Sequence, residues 1–349
     1  MMLRLGLAYF GAGAVLLACS SQDGNPPRID TSLTEGRANE APAAWTPANL
    51  PADICDIPGS TDFNVAAGES ASLDPSPTCD ALISQPDGLP SICVRKFANV
   101  TIAGKLTSWG DATRVLAIVA TNTFAIPSGG SVNAIASGGD PRGVGGPAQG
   151  DGAGSGGAGH IGAGASGGDS AGGTGGIAFG PTSGTPVVTG STGGYGNSQW
   201  DGLGGYAGGA IQLVACHELA LSGTVDAHGE NGWNGRDGYT PHVNYPGGGG
   251  GGGSGGTIVL DAPSITAGCG AKLVAVGGSG GRGGHAPELN QVGGPGGAGG
   301  TGAQPPQPGG KGGSASGGGG GAIGRIVLHL PEGAPLPSIA SDPPAAMEH

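Results

Sequence analysis

Three near-copies of one short pattern constrain the fold of this chain most strongly. Each copy has a glycine, one further residue and then Ile-x-Leu, and the copies begin at Gly209, Gly256 and Gly324. The segment Arg114–Ala120 is a looser fourth copy. Because residues at alternate positions share one face of a β-strand, the pattern predicts short strands that each bury one face.

A second pattern follows the first in residues 114–134, 209–227 and 257–276. Residues 100–108 match residues 219–227 almost position by position, and residues 124–134 repeat them with a longer turn. Alternating apolar residues on both sides of a glycine-containing turn predict a strand, a tight corner and another strand.

The constant order of the two patterns predicts an all-β fold, a parallel β-solenoid with about 20 residues in each coil. An antiparallel sandwich also has short strands at regular spacing, but it does not explain why the same units return in the same order. In the solenoid, the alternating residues of the copies should form inward ladders: Ile211, Leu213, Ile258, Leu260, Ile326 and Leu328.

Long glycine-rich tracts separate the copies, and they suggest the domain organisation. We expect a signal peptide, a lipidated cysteine with a disordered tether, β coils that alternate with glycine-rich inserts, and a disordered tail. The corresponding ranges are 1–18, 19–50, 51–136 (coils), 137–208 (insert), 209–228 (coil), 229–256 (insert), 257–276 (coil), 277–323 (insert), 324–334 (terminal strand) and 335–349 (tail).

The conformation of the glycine-rich tracts is left open by the sequence. The chain has 82 glycines and 28 prolines, a level typical of low complexity, yet it is poor in charge, at 11%, unlike most disordered chains. Glycine recurs at every third position from Gly293 to Gly302, which suits packed polyproline II arms with three residues per turn. Loose coil and irregular strands are the alternatives. We expect the tracts to be excursions from the solenoid, so deletion within 248–252 should destabilise far less than Leu260→Asp, because loop closure depends weakly on length.

The first residues have the pattern of an export signal. Arg4 precedes an apolar run that ends at Cys19, and this run is too short for a transmembrane helix. The sequence Leu-Leu-Ala-Cys at 16–19 resembles a bacterial lipobox, although Leu17 departs from the usual small or β-branched residue. The resemblance implies acylation of Cys19 and contact with membrane lipid, and Ser20 implies the outer membrane or cell surface. An ordinary signal peptide or a chance cysteine are the alternatives.

Five further cysteines suit an exported protein, where disulfides persist. Cys79 and Cys93 flank a short loop and are the first expected pair. Cys216 and Cys269 lie in successive coils and are the second expected pair, so that Cys55 is the odd cysteine. Alternatively, all five are small buried residues.

Few features of the sequence indicate catalysis or cofactors. A net charge of −12 and the lack of a basic, aromatic-rich patch argue against nucleic acid. The zinc motif H-E-x-x-H and the calcium-binding nonapeptide are absent, and we expect no cofactor or metal. Asp226 lies on a predicted strand with His228 beside it, and an exposed turn explains this acid and histidine pair better than a catalytic site does.

A small polar and aromatic cluster lies in the second glycine-rich tract. Trp233, Tyr239 and Tyr245 are candidate carbohydrate contacts, near Asn231, Asn234 and His242. Such rings can stack on sugars. Anchoring of a loop is the simpler interpretation.

Over residues 60–330 the chain resembles glycine-rich surface proteins of Gram-negative bacteria, through its Gly-x-Ile-x-Leu strands and its Gly-Thr-Val-Asp-Ala turn. By glycine spacing alone it also resembles polyproline II antifreeze proteins. The first resemblance implies architecture but no activity. We therefore expect a non-enzymatic surface lipoprotein with a structural or adhesive role. The alternatives are a polysaccharide-acting β-helix enzyme and an ice- or carbohydrate-binding module that uses the glycine-rich arms.

Overall fold

The computed structural model describes residues 45–57, 59–75, 78–110, 113–181, 183, 185–196, 201–238 and 246–349. In these ranges the regular elements are strands and short 3-10 helices. The helices span Ala52–Cys55, Pro86–Gly88, Pro141–Gly143 and Pro287–Leu289. The strands are β1 Phe63–Val65, β2 Ser70–Ser72, β3 Ala81–Ile83, β4 Ser91–Phe97, β5 Val100–Ile102, β6 Lys105–Gly110, β7 Arg114–Ala120, β8 Thr123–Ile126, β9 Ser131–Ala136, β10 Ala207–Gly208, β11 Ala210–Ala215, β12 Glu218–Leu221, β13 Thr224–Asp226, β14 Thr257–Asp261, β15 Ser264–Ala267, β16 Lys272–Val274, β17 Arg325–His329, β18 Ala340–Asp342 and β19 Ala346–Glu348.

The strands form three sheets. Sheet 1 has the order β1-β5-β8-β12-β15, sheet 2 has β18-β16-β13-β9-β6-β2 with β10 beside β9, and sheet 3 has β19-β17-β14-β11-β7-β4-β3. Neighbouring strands in the described ranges run parallel, apart from the antiparallel pairs β3–β4 and β9–β10. The chain visits sheets 3, 1 and 2 in that order four times, from β4 to β6, β7 to β9, β11 to β13 and β14 to β16.

Glycine allows the tight corners between sheets 1 and 2 to stack. A Cβ on Gly130 would overlap the carbonyl oxygen of Ile102, in the visit before, and a Cβ on Gly223 would overlap the carbonyl oxygen of Gly130. Each corner therefore lies directly against the one before it. This explains the glycine in the second sequence pattern.

The predicted inward ladders are confirmed. Ile211, Ile258 and Ile326 are successive register partners in sheet 3, and so are Leu213, Leu260 and Leu328. All six side chains are buried in one apolar cluster. Val259 and Val327, which lie between them, face the opposite side and belong with Val214 to a second apolar cluster. Sheet 3 is thus covered on both faces, which explains why its strands are almost continuously apolar.

Residues near the N-terminus supply part of the outer cover of sheet 3. Leu50 is buried in the second cluster, and Trp45 and Ile54 pack against it. Residues 45–50 had been expected in the disordered tether. That expectation is wrong for these residues, because the apolar outer face of sheet 3 provides a surface on which they can be buried.

The C-terminal residues also differ from the expectation. The range 335–349 was predicted to be a loose tail, but β18 pairs with β16 and β19 pairs with β17. These short polar strands lack a clear alternating pattern. Their position is fixed by the open strand edges that they cover.

One expected disulfide is confirmed and the other is wrong. Cys79 and Cys93 are bonded, with Cα atoms 5.2 Å apart. Cys216 is bonded to Cys55 rather than to Cys269, with Cα atoms 5.6 Å apart. The reason is geometric: Cys216 lies between sheets 3 and 1, whereas Cys269 lies between sheets 1 and 2, at a different corner. Cys19 lies outside the described residues.

The glycine-rich tracts are packed segments joined to one another by backbone hydrogen bonds. Twelve can be delimited in the described ranges: s1 143–149, s2 152–160, s3 162–168, s4 171–181, s5 188–196, s6 201–208, s7 227–238, s8 246–256, s9 275–285, s10 292–301, s11 306–313 and s12 314–324. Along each contact the bonds recur at every third residue. For example, the amides of Gly229, Gly232 and Gly235 in s7 donate to the carbonyls of Val276, Ser279 and Arg282 in s9.

Three segments form the centre of this bundle. Segments s2, s8 and s12 are bonded to one another, and the other nine form a closed ring in the order s1, s5, s6, s7, s9, s10, s11, s3, s4. Segment s8 is bonded to s2, s5, s6, s7, s9 and s12, so it is surrounded on every side.

The number of covered sides decides how often glycine is needed. In s8, a Cβ on Gly250, Gly251 or Gly252 would lie well inside 3.0 Å of a carbonyl in s6, s2 or s9 respectively. In s9 two positions of three are glycine and the third faces outward, and in s7 one position of three is glycine. These glycines in s8 do not have a positive φ, so they are needed for close approach of backbones rather than for conformational freedom.

The premise that residues 248–252 form a loose loop is therefore wrong. All five glycines are buried, and their amides donate to other segments or, at Gly248, to the carboxylate of Asp201. In the part of the chain that the structure describes, no helix is long and apolar enough to cross a bilayer.

Candidate functional site

The sequence-predicted aromatic cluster leads to the outer face of the bundle formed by s6, s7 and s9. Segment s7 follows β13 and lies in the ring between s6 and s9, with s8 behind it. Because only one of its three sides is covered by the central segments, two of every three side chains can point away from them. The surface is therefore set by residues that the packing leaves free.

A ladder of side chains joins s7 to s9. The Oδ1 atoms of Asn231, Asn234 and Asp237 accept hydrogen bonds from the backbone amides of Ser279, Arg282 and His285, at 2.8, 2.9 and 2.7 Å. The carbonyls of the same three s9 residues accept from Gly232, Gly235 and Gly238. Each repeat thus makes a pair of bonds, one from a side chain and one from the following glycine.

The sequence signal for this ladder is the repeated triplet (Asn/Asp)-Gly-x at 231–238, Asn-Gly-Trp-Asn-Gly-Arg-Asp-Gly. The two asparagines were recognised as polar neighbours of Trp233. The sequence did not reveal the importance of their spacing or the role of Asp237. The triplet makes regular hydrogen bonds only when a second segment with the same three-residue repeat lies beside it.

The third residue of the triplet carries the largest exposed side chain. Trp233 is 61% exposed, and its amide donates to the carbonyl of Leu203 in s6, which is 59% exposed. One repeat away, the amide of Glu230 donates to the carbonyl of Tyr206, which is 45% exposed. Trp233, Leu203 and Tyr206 therefore form an exposed patch on two bonded segments. We call this patch, together with the Asn231–Asn234 ladder, the s6–s7 face.

Of the three predicted carbohydrate contacts, only Trp233 can be placed. Tyr239 and Tyr245 lie outside the described residues, as does His242. The s6–s7 face instead brings Leu203 and Tyr206 next to Trp233. These two were not singled out from the sequence, since they belong to a different glycine-rich tract.

Asp226 and His228 form a local pair at the start of s7. The Nδ1 atom of His228 lies 2.8 Å from Oδ1 of Asp226, and the same oxygen accepts from the His228 amide. The hydrogen bond with Asp226 raises the pKa of His228, although partial burial opposes this. The geometry is that of a side chain stabilising its own turn.

A buried polar cluster lies on the outer side of sheet 3, under residues 45–50. The Asp261 carboxylate has its Oδ1 atom 2.6 Å from Nδ1 of His329, and its Oδ2 accepts from Nε2 of Gln212 at 2.5 Å. The amide of Ala48 donates to Oδ1 at 3.2 Å, and its carbonyl accepts from Gln212. We call these residues the clasp. Contact with Asp261 raises the pKa of His329, and burial raises the pKa of Asp261.

His160 is more deeply buried than His329. It is fully buried at the end of central segment s2, and its ring lies 5.2 Å from that of Phe179. Among the described residues neither ring nitrogen has a partner. Burial, and to a smaller extent Arg325, lowers its pKa to about 3, so the ring is neutral at physiological pH.

A cleft of about 360 Å³ lies between s3, s10 and s12. Its lining includes Ile161, Thr301, Gln304, Pro306 and Ile323, and it contains no side chain that titrates in the physiological range. Within the described ranges, histidines, cysteines and carboxylates do not form a group of three that could hold a metal ion. Comparison with family models, curated proteins and solved structures finds no match for the chain.

Proposed function

We propose that this protein is a non-enzymatic lipoprotein of the bacterial cell envelope with a structural or adhesive role at the outer membrane or cell surface. One observation carries the proposal. The glycine-rich segments form a bundle whose central glycines leave no room for a Cβ and whose ring displays side chains at a fixed spacing.

Two finer statements on architecture belong to this proposal. The repeated course through three parallel sheets, with apolar ladders in register, supports a parallel β-solenoid. Hydrogen bonding at every third residue, together with the near absence of helix and strand in the segments, supports a polyproline II bundle.

Such a bundle suits adhesion because it is already ordered before anything binds. A side chain on a free glycine-rich coil would lose conformational entropy on contact, and this loss weakens binding. On the ring, the backbone is held by bonds to neighbours on both sides, and only the outer side chain remains to be ordered. Multiple faces of the same rigid bundle also favour many weak contacts at once.

The titratable side chains give little support to a polysaccharide-acting enzyme. Such enzymes use paired carboxylates at a substrate groove. Here Asp226 is engaged with His228, Asp261 is buried in the clasp, and the cleft near Ile161 has no carboxylate. Large exposed side chains such as Trp233 on the ring also disfavour an ice-binding surface, which should be flat.

Anchoring rests on the lipobox resemblance at Cys19. In the wild type we expect the protein in the membrane fraction and accessible to protease added to intact cells. Cys19→Ala should release it to the soluble fraction. Persistence of the Cys19→Ala protein in carbonate-washed membranes would contradict lipid anchoring.

The role itself is tested by two measurements: the retention of cells on extracellular matrix, and the cleavage of matrix polysaccharide by the purified protein. Cells that carry the wild-type protein should be retained on extracellular matrix from the producing organism more than cells that carry Gly251→Ala, which disturbs the bundle centre. Release of reducing ends from matrix polysaccharide by the purified wild-type protein would overturn the non-enzymatic proposal. Equal retention of cells with and without the protein would overturn the adhesive role.

A further inference from the structure

We infer that the s6–s7 face is a binding site for an uncharged polysaccharide chain that lies along s7. The inference rests on the proposed adhesive function and names its ligand class. It is carried by three features of the face: fixed amide donors, exposed aromatic rings and a balance of charge.

The orientation of the side-chain amides of Asn231 and Asn234 is fixed by their hydrogen bonds to s9. The atom of Asn231 that faces the Ser279 amide must be the side-chain oxygen, since a backbone N–H needs an acceptor, and the same holds for Asn234 and Arg282. Each Nδ2 group is therefore directed away from that bond. Neither has a hydrogen-bond partner among the described residues, so the face presents two sets of donors of known direction.

The rings beside these donors provide the apolar part of the site. Trp233 stands between Asn231 and Asn234 in the sequence and is 61% exposed, and Tyr206 is on the neighbouring segment. Aromatic faces pack well against the C–H surface of a pyranose ring, while amides bond to its hydroxyls. Tyrosine and tryptophan supply large contact area with few rotatable bonds, which limits the entropy lost on binding.

The spacing allows the same contact to be repeated along one chain. Three residues of polyproline II helix rise about 9.3 Å. This is close to the length of two linked pyranose rings, so Asn231 and Asn234 can meet equivalent hydroxyls of successive disaccharides. An extended polymer fits this arrangement better than a single sugar does.

The charge of the face and of the protein selects an uncharged ligand. Around the two asparagines, Glu230 and Asp237 are balanced by Arg236 and Arg282, and Arg282 lies 3.7 Å from Asp237. The whole chain carries −12, which repels acidic polysaccharides. The balanced charge of the face therefore recruits neither a polyanion nor a polycation, and the overall charge disfavours a polyanion.

The test uses affinity electrophoresis and calorimetry of the protein with soluble dextran, mannan, xylan, β-glucan and chitin oligosaccharides. The wild type should bind at least one of them, and Trp233→Ala should weaken that binding at least about tenfold. Ile177→Ala is the matched control, because Ile177 is 65% exposed on s4 in another part of the ring. It should bind like the wild type.

A second pair of variants separates recognition from folding. Asn231→Asp with Asn234→Asp keeps both acceptors for the s9 amides, as Asp237 does naturally, but removes the donors. This double variant should keep the wild-type Tm and lose at least about fivefold in affinity. Asp237→Asn, which adds a donor, should bind at least as tightly as the wild type.

Two results would overturn the inference. The first is that no neutral polysaccharide of the panel binds, although cells carrying the protein are still retained on matrix. In that case the adhesive function would remain, but its ligand would be of another class, such as a protein. The other is that binding is unchanged in both Trp233→Ala and the double aspartate variant. Loss of retention on matrix, by contrast, would remove the proposed function itself.

Discussion

The Nδ1 atom of His329 lies 2.6 Å from Oδ1 of Asp261, and the two residues are register partners on the neighbouring strands β17 and β14. Asp261 is fully buried, and the tilted Trp45 ring lies 6.2 Å from the His329 ring. Through Ala48 and Gln212, this pair fastens residues 45–50 to sheet 3. The end of the expected tether is thus held by a buried ion pair rather than by apolar packing alone.

The clasp should make stability depend on pH. Because the folded-state pKa of His329 is raised above 6.5, its contribution is present below that pH and is lost as the pH rises through the raised value. We expect the wild-type Tm to fall between pH 6 and pH 9 and His329→Gln to show a smaller fall. His228→Gln is the control, since it removes the more exposed pair with Asp226. Identical pH profiles for wild type and His329→Gln would contradict this role.

His160 should act in the opposite direction. Its folded-state pKa of about 3 lies below the unfolded value of 6.5, so the unfolded state takes up a proton first and stability falls as the pH drops from about 6.5 towards 3. The loss approaches about 1.4 kcal/mol for each pH unit in that window. His160→Phe should remove this acid sensitivity, measured by urea unfolding at pH 4 and pH 7. An unchanged difference between the two pH values would show that other groups cause it.

Central glycines should be far less replaceable than a peripheral one. Gly250→Ala would press a methyl group against the Leu203 carbonyl and should lower the free energy of unfolding by about 1–3 kcal/mol. Gly162→Ala is the matched control, since a Cβ there meets nothing within 4 Å. It should be neutral or stabilise by about 0.4–1 kcal/mol. Similar effects of the two substitutions in chemical denaturation would count against close packing around s8.

Deletion of residues 248–252 should be as damaging as Leu260→Asp. The substitution buries a charge in an apolar ladder and costs several kcal/mol. The deletion removes the middle of a central segment, and five residues are not a multiple of the three-residue repeat, so the rest of s8 would also face the wrong neighbours. Thermal melts of both variants provide the comparison. A deletion variant close to the wild-type Tm would restore the loose-loop interpretation.

The two described disulfides should differ in their effect on stability. Cys55 and Cys216 are 161 residues apart, whereas Cys79 and Cys93 are 14 apart. In the chain-entropy account, these loops correspond to about 5 and about 3 kcal/mol. Replacing both cysteines by alanine should therefore lower the Tm more for the first pair. Non-reducing peptide mapping provides the direct check, and recovery of a Cys216–Cys269 peptide would contradict the pairing.

The strands and their register were predictable because their causes are local. Alternation in Ile258-x-Leu260 fixes which residues face inward. Gly209 and Gly256 each precede their copy at the same distance, so the copies align in the same register. The partner of Cys216 was not predictable. It is Cys55, in the helix Ala52–Cys55 that precedes the first strand, and this pairing depends on how the N-terminal residues pack against the folded sheets.

The sequence by itself showed a glycine at every third residue in part of the glycine-rich tracts, such as 293–302, and it limited the central positions to tracts of small residues, such as 247–256. Only the tertiary structure decided which segments became neighbours. The ring order s1, s5, s6, s7, s9, s10, s11, s3, s4 departs from chain order, because each segment is stabilised by amides and carbonyls of distant residues. The s6–s7 face arises in this way: Tyr206 and Trp233 come from different tracts, and only the packing of their glycines around s8 places them side by side.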